Sequence, residues 1–265
     1  MGSGKEKIKF SFVTKGKERI YINGWKMKMK QINKKLLCCC VVLTVLLLLC
    51  IPMSVEATET NGTCGENIVW ELSNDGTLTI SGEGEMGDRT WYLLCDKILK
   101  VNIEEGITNI GFDAFWQCCN LESVNIPESV TSIGNKAFCD CSSLKSINIP
   151  ESVTDIGAFA FQGCSSLIDV EIPENVTKIN LYTFKDCSSL VRIYIPEDVN
   201  YIGMRAFEGC SSLKSLDIPQ KITEIETYTF ANCSSLNSVE IPDGVKSING
   251  SAFEGCSNLK NVVIP

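Results

Sequence analysis

Leu144-Lys145-Ser146-Ile147-Asn148-Ile149-Pro150-Glu151-Ser152-Val153-Thr154-Asp155-Ile156-Gly157-Ala158-Phe159-Ala160-Phe161-Gln162-Gly163-Cys164-Ser165-Ser166 is one 23-residue unit, and a new unit opens at Leu167. Ile-Pro recurs at Ile126, Ile149, Ile172, Ile195, Ile218, Ile241 and Ile264. Phe keeps the same phase at Phe115, Phe138, Phe161, Phe184, Phe207, Phe230 and Phe253, and Cys follows three places later, from Cys118 to Cys256. Leu is in step from Leu121 to Leu259. Four markers holding phase over seven copies define a solenoid.

The chemistry of one unit explains why units must stack. Leu144, Ile147 and Ile149 point inward, the last two alternating as in a strand. Pro150 ends that strand by removing a ladder donor. Val153 and Ile156 make a second short apolar segment on the opposite wall, and Ala160-Phe161 opens a turn, with one helical or 3₁₀ turn expected, closed by Gly163-Cys164-Ser165-Ser166. A 23-residue coil cannot bury these side chains alone, so neighbours share a continuous core. At roughly 4.8 Å per strand, eight coils give a parallel sheet about 35–40 Å long.

The unit L-x-x-V/I-x-I/L-P-x-x-V/I-x-x-I-x-x-x-A/T-F-x-x-C-S-S closely resembles the BspA-like class of leucine-rich repeats. Gly134, Gly157 and Gly203 stand at that class's glycine, whereas Asn180, Glu226 and Asn249 depart from it. The resemblance covers about Ile103 to Pro265. It implies a right-handed, mainly β coil with a parallel sheet on one face and short strands and single helical turns on the other. It also implies a secreted or surface-bound protein associated with adhesion to host proteins or to other cells.

Residues 101–265 are thus expected to form the solenoid, with about seven or eight coils, the first degenerate and carrying Glu104 in place of proline. Residues 58–100 read as its N-terminal cap. There Ile68-Val69-Trp70-Glu71-Leu72 and Thr77-Leu78-Thr79-Ile80 alternate around Asn74-Asp75-Gly76, the pattern of a tight β-hairpin. Residues 1–57 read as a basic lead and secretory signal. Eleven Lys or Arg against Glu6 and Glu18 precede the apolar run Leu36–Ile51, and Val55-Glu56-Ala57 offers small residues for cleavage after Ala57. The run is shorter than the roughly 20 residues of a spanning helix, so an uncleaved anchor is the lesser reading. A start at Met27 or Met29 would give a lead of ordinary length. The last unit stops at Ile264-Pro265 without a polar cap. That pattern fits either a truncated module of a longer surface protein or self-association through this end.

Composition narrows function. The chain has 15 cysteines and no histidine, so Ser-His-Asp triads, Cys-His dyads and His-ligated metals are excluded. From Thr58 onward 29 acidic residues face 13 basic ones, a poor partner for nucleic acid. No C-x₂-C pair exists, so the in-phase cysteines read as packed thiols donating weakly to nearby carbonyls rather than as metal ligands, and, because stacked side chains point in parallel, as poorly placed for disulfides between adjacent coils. No cofactor and no catalytic residue is expected. In an oxidising compartment Cys64 and Cys95 are the candidate disulfide. A ladder of Glu105, Glu128, Glu151, Glu174, Glu197 and Asp243 reads as a solvated edge; weak calcium binding and a glycosidase-like carboxylate pair are the lesser alternatives.

Binding is expected on the open sheet, where outward positions vary from coil to coil. Asp169, Glu171, Arg192, Tyr194, Lys214 and Asp217 fall there on adjacent coils, beside Ile168 and Val191, and Tyr and Arg are frequent interface anchors. The expected partner is a protein or glycan on a host or neighbouring cell.

Overall fold

A computed structural model of the chain describes residues 7–13, 19–25 and 60–264. The chain divides into two units, Met1–Ala57 and Thr58–Pro265. In the first, Lys7–Val13 and Arg19–Trp25 form an antiparallel hairpin with Lys7 opposite Trp25. The apolar run and the expected cleavage point after Ala57 lie outside the described residues.

The second unit is a β-solenoid whose coils have three walls. On the front wall short strands pair in parallel one repeat apart: Lys100 with Ser123, Asp169 with Arg192, and Ser238 with Asn261. The back wall does the same with two-residue strands, pairing Asn109 with Ser132, Lys178 with Tyr201 and Glu224 with Ser247. Proline sits at the corner between them. Having no N–H, it leaves the ladder, while its carbonyl accepts from the residue three places on, as Pro150 does from Val153 at 3.0 Å. Leu144, Ile147, Ile149, Val153, Ile156, Ala160, Phe161 and Cys164 are each at most 8% exposed, so the inward face read from the sequence is the core.

The third wall holds turns where helical turns were expected; among the described residues the one helix is the 3₁₀ turn Tyr92–Leu94. Its N–H groups alternate in direction. Ala137, Cys139 and Cys141 donate to carbonyls three residues back in their own coil, whereas Lys136, Phe138 and Asp140 donate to Ala158, Ala160 and Gln162 of the next coil. Half of the wall's donors are therefore spent along the stack, which a helix would not allow.

That arrangement demands left-handed backbone twice per coil. One column is Asp113, Lys136, Phe159, Tyr182, Arg205, Tyr228 and Ser251, with φ from 46° to 61°. The other is Gln117, Asp140, Gly163, Asp186, Gly209, Asn232 and Gly255, also at positive φ. From Asp140 onward the second column alternates Asp or Asn with Gly, and the reason is steric as well as conformational. A Cβ on Gly163, Gly209 or Gly255 would run into Oδ1 of Asp140, Asp186 or Asn232 on the preceding coil. A carboxylate or amide on one coil thus fixes a glycine on the next, doubling the true period.

The N-terminal end is closed by Asn61–Thr63, Ile68–Leu72 and Thr77–Gly82, which form an antiparallel sheet. Thr77–Gly82 then pairs in parallel with Lys100–Ile103, placing Thr77 against Lys100 and Ile80 against Ile103. The second hairpin strand is itself a rung, and the 23-residue register runs one coil further upstream than the expected start at residue 101. Trp91 heads the Phe column, 5.7 Å from Phe115 and nearly parallel to it, and its indole N–H donates to Ala114 O at 2.9 Å.

Gly209→Ala is expected to destabilise the protein, and to do so by about 1 kcal/mol less in an Asp186→Gly background, where the clashing carboxylate is gone. A double-mutant cycle from urea unfolding measures that coupling; simple additivity would contradict the alternation rule.

Candidate functional site

The front wall brings four of the six expected binding residues together. Asp169–Glu171 pairs in register with Arg192–Tyr194, so Asp169 faces Arg192 and Glu171 faces Tyr194. Val170, 2% exposed, points into the core and Ile193 packs against it. Alternation then turns the other four outward on one surface. Arg192 Nη2 lies 3.2 Å from Asp169 Oδ2, with both side chains more than half exposed. A pair so exposed adds little stability, but it presents the guanidinium in a defined place. Ile168, 51% exposed, adds an apolar element beside it.

Lys214 and Asp217 are exposed two coils beyond Asp169, but the segment around them forms no strand with Arg192–Tyr194. None of the described hydrogen bonds or ion pairs joins them to the other four. The candidate face therefore divides into an ordered quartet and two looser neighbours.

Sequence reasoning missed a link between this face and the acidic ladder. The Tyr194 hydroxyl donates to Glu174 Oε1 at 2.7 Å, and the Glu174 backbone N–H donates to Glu151 Oε2 at 3.1 Å. Glu174 follows the corner Pro173 of the preceding coil, so the ladder's carboxylates border the sheet. The carboxylate that accepts its proton holds the Tyr194 phenol above the usual tyrosine range, and the negative charges of Glu197 and Glu151 add to this. The spacing of Glu174 and Tyr194, a little short of one full repeat, was the available signal. Among the described residues no group of three or more His, Cys, Asp or Glu is arranged to hold a metal ion.

A second feature escaped notice because it lies on the turn wall. Phe159 and Tyr182 stack at 4.6 Å, Lys136 Nζ sits 5.7 Å from the Phe159 ring, and the Arg205 guanidinium lies 4.2 Å from the Tyr228 ring. All five belong to the first left-handed column. Their stacking and cation–π contacts help to offset the backbone cost of φ > 0 in residues that carry a Cβ. Arg205 and Lys185 also clamp Glu208, at 2.6 and 2.9 Å. Burial alone would raise the Glu208 carboxyl, but the hydrogen bonds from Lys185 and Arg205 outweigh it and hold it below the usual range.

The thiols form the packed column read from the sequence. Cys141, Cys164, Cys187, Cys210, Cys233 and Cys256 each donate from Sγ to the carbonyl of a Phe on the preceding coil, at 3.1–3.2 Å. Burial holds the thiols of Cys164 and Cys187 well above their ordinary value. The serines after them tie coils together as well: Ser165, Ser188 and Ser211 donate to the carbonyl of the matching serine one coil earlier. Cys64 and Cys95, the expected disulfide, are both free and buried. The thiol against Cys95 is that of Cys118.

Residues 85–213 and 154–265 match the family model described as BspA type Leucine rich repeat region, in six copies. A leucine-rich repeat protein from Eubacterium ventriosum has a similar structure, with 28% identity over 78% of this chain and 67% of its own, at a TM-score of 0.61. More distant in shape are a leucine-rich repeat protein from Bacteroides ovatus, with 25% identity over 75% of this chain and 70% of its own at a TM-score of 0.44, and a leucine rich cell surface protein from Faecalibacterium prausnitzii, with 21% identity over 80% of this chain and 90% of its own at 0.43. No curated protein matches the chain.

Glu174→Gln is expected to bring the Tyr194 phenol back toward its ordinary value, seen as a downward shift in one component of the tyrosinate absorbance titration; an unchanged curve would remove the hydrogen bond from the face. Glu208 gives a stability test with a fixed sign. Its folded value is depressed, so its contribution is complete above the unfolded glutamate value of about 4.3 and is lost as pH falls below that through the folded value. Glu208→Gln should cost roughly 1–2 kcal/mol at neutral pH and progressively less in acid, measured by urea unfolding at a series of pH values.

Proposed function

The chain belongs to the BspA-type leucine-rich repeat family, and from that premise we propose that it is an exported, non-catalytic recognition protein whose open sheet binds a protein or glycan on a host or neighbouring cell. Repeats of this family are generally scaffolds rather than enzymes, and a chain without histidine has few routes to acid–base chemistry at neutral pH. The basic lead and apolar run of residues 1–57 support export to the cell surface or beyond.

The observation that carries the reading is the ordered quartet. Asp169, Glu171, Arg192 and Tyr194 stand in register on two adjacent rungs, combining a guanidinium, a half-exposed phenol and carboxylates beside the apolar Ile168. Tyr and Arg side chains dominate many recognition surfaces. The −16 charge beyond Thr58 lies largely elsewhere, because the outward sheet positions from Leu99 to Val263 carry five basic and five acidic residues and are neutral in sum. A near-neutral face suits short-range, shape-based recognition better than long-range steering.

Binding of the full chain to a panel of immobilised extracellular-matrix proteins and glycans tests this. Arg192→Ala with Tyr194→Ala should weaken the strongest interaction about tenfold or more, with an unchanged circular dichroism spectrum and melting point. Undiminished binding by the double variant would move the site off this face.

A further inference from the structure

The thiol column changes partner at one step. From Cys141 onward the sulfurs turn to a phenylalanine carbonyl on the preceding coil, but Cys118 turns instead to Cys95, Sγ to Sγ at 2.7 Å. The two are one repeat apart, on the first and second rungs. A coil separation of about 4.8 Å falls within the roughly 4.4–6.8 Å Cα range that a disulfide spans. The two sulfurs lie inside van der Waals contact of each other. Cys118 is fully buried and Cys95 is 8% exposed, so an entering reagent meets Cys95 first. The surroundings hold the two rungs together: Arg89 Nη1 donates to Trp116 O at 2.6 Å, its Nε lies 3.7 Å from Asp113, and the guanidinium sits over the Trp116 ring.

We propose that Cys95 and Cys118 form a disulfide that staples the first turn of the solenoid to the second, made by exchange with an external disulfide. The Cys95 thiolate attacks one sulfur of the donor and expels the other as a thiol. Cys118 then attacks the Cys95 sulfur of the mixed disulfide and expels the second thiol. Two cysteine thiols lose two electrons, the donor disulfide gains them, and both cysteine protons end on the two released thiols. The roles follow from the setting. The S–H of Cys118 donates to the Cys95 sulfur and, with the nearby Arg89 charge, holds the Cys95 thiol below its ordinary value. The Cys118 thiol is raised by that hydrogen bond and by burial. Cys64, pushed up to about 11 by burial, is a poorer nucleophile.

The staple lies where an array most needs it. The first coil has another coil on one side only, its other side being covered by the hairpin strand Ile68–Leu72, and the ends of an array fray first; this rung joins the cap to the stack and carries Trp91, the head of the aromatic column. A bond closing a loop of one repeat stops that rung from peeling away. The proposal does not depend on the binding reading, because its readout is covalent.

The test uses the full chain treated with oxidised glutathione, alkylated and digested with trypsin without reduction. Peptide Thr90–Lys97 holds Cys95 alone, and Val101–Lys136 holds Cys118 and Cys119. The expected product is these two joined, retained in Cys119→Ser and lost in Cys118→Ser. Should Cys118→Ser fail to fold, fragmentation of the wild-type product assigns the sulfur instead. Recovery of Thr90–Lys97 singly alkylated, or joined to the peptide holding Cys64, would overturn the assignment. Amide exchange at Thr77–Gly82 should be roughly tenfold slower or more in the oxidised chain than after reduction; equal rates would overturn the stapling role.

Discussion

Everything in the second unit depends on each coil retracing the path of the one before it, exactly one repeat further along the chain, because no coil can satisfy its own backbone. Front and back strands are short and pair only with neighbouring coils, and half the turn-wall N–H groups point along the stack. Once that register holds, like side chains must lie on like. Phe115 to Phe253 therefore form one column with ring centroids 5.3–5.7 Å apart, within 16° of parallel. Each stacked pair alone adds only about 0.5–1.5 kcal/mol beyond burial; the column matters because every member reinforces the same offset.

Register also explains what the chain cannot vary. Left-handed backbone twice per coil would ordinarily ask for glycine. One column meets this by alternating Asp or Asn with Gly, the larger residue overhanging the smaller. The other keeps full side chains and gains stacking and cation–π contacts from them. Two solutions to one conformational demand run side by side along the same wall. The cysteine that follows belongs to the same logic: a small side chain whose weak donor fits beneath the carbonyl of a phenylalanine in the preceding coil.

Freedom is left to the outward positions of the front wall, and the proposed recognition face draws on it. The quartet from Asp169 to Tyr194 is held by parallel pairing on a rigid scaffold, while Glu174, from the corner of the preceding coil, anchors the Tyr194 hydroxyl. The acidic ladder thus acts as a border to the face, orienting its largest side chain. The turn wall, with its stacked rings, has its cations already engaged.

The sequence by itself determined the solenoid, its 23-residue period, the inward set Leu144, Ile147, Ile149, Val153, Ile156 and Phe161, and the hairpin around Asp75-Gly76. These follow from side-chain hydrophobicity and turn chemistry repeated in phase, both readable along a line. Tertiary structure alone decided the rest. The entry of Thr77–Gly82 into the stack was hidden because its coil shares spacing but not motif with the others, Trp91 standing one place out of phase with Phe115. The turns in place of helical turns were hidden because Lys136 and Tyr182 bear no mark of a left-handed backbone; inter-coil hydrogen bonds impose it. The partner of Cys95 and the bond from Tyr194 to Glu174 depend on where side chains on neighbouring coils come to rest. That is set by packing across the stack, a dimension the linear chain does not contain.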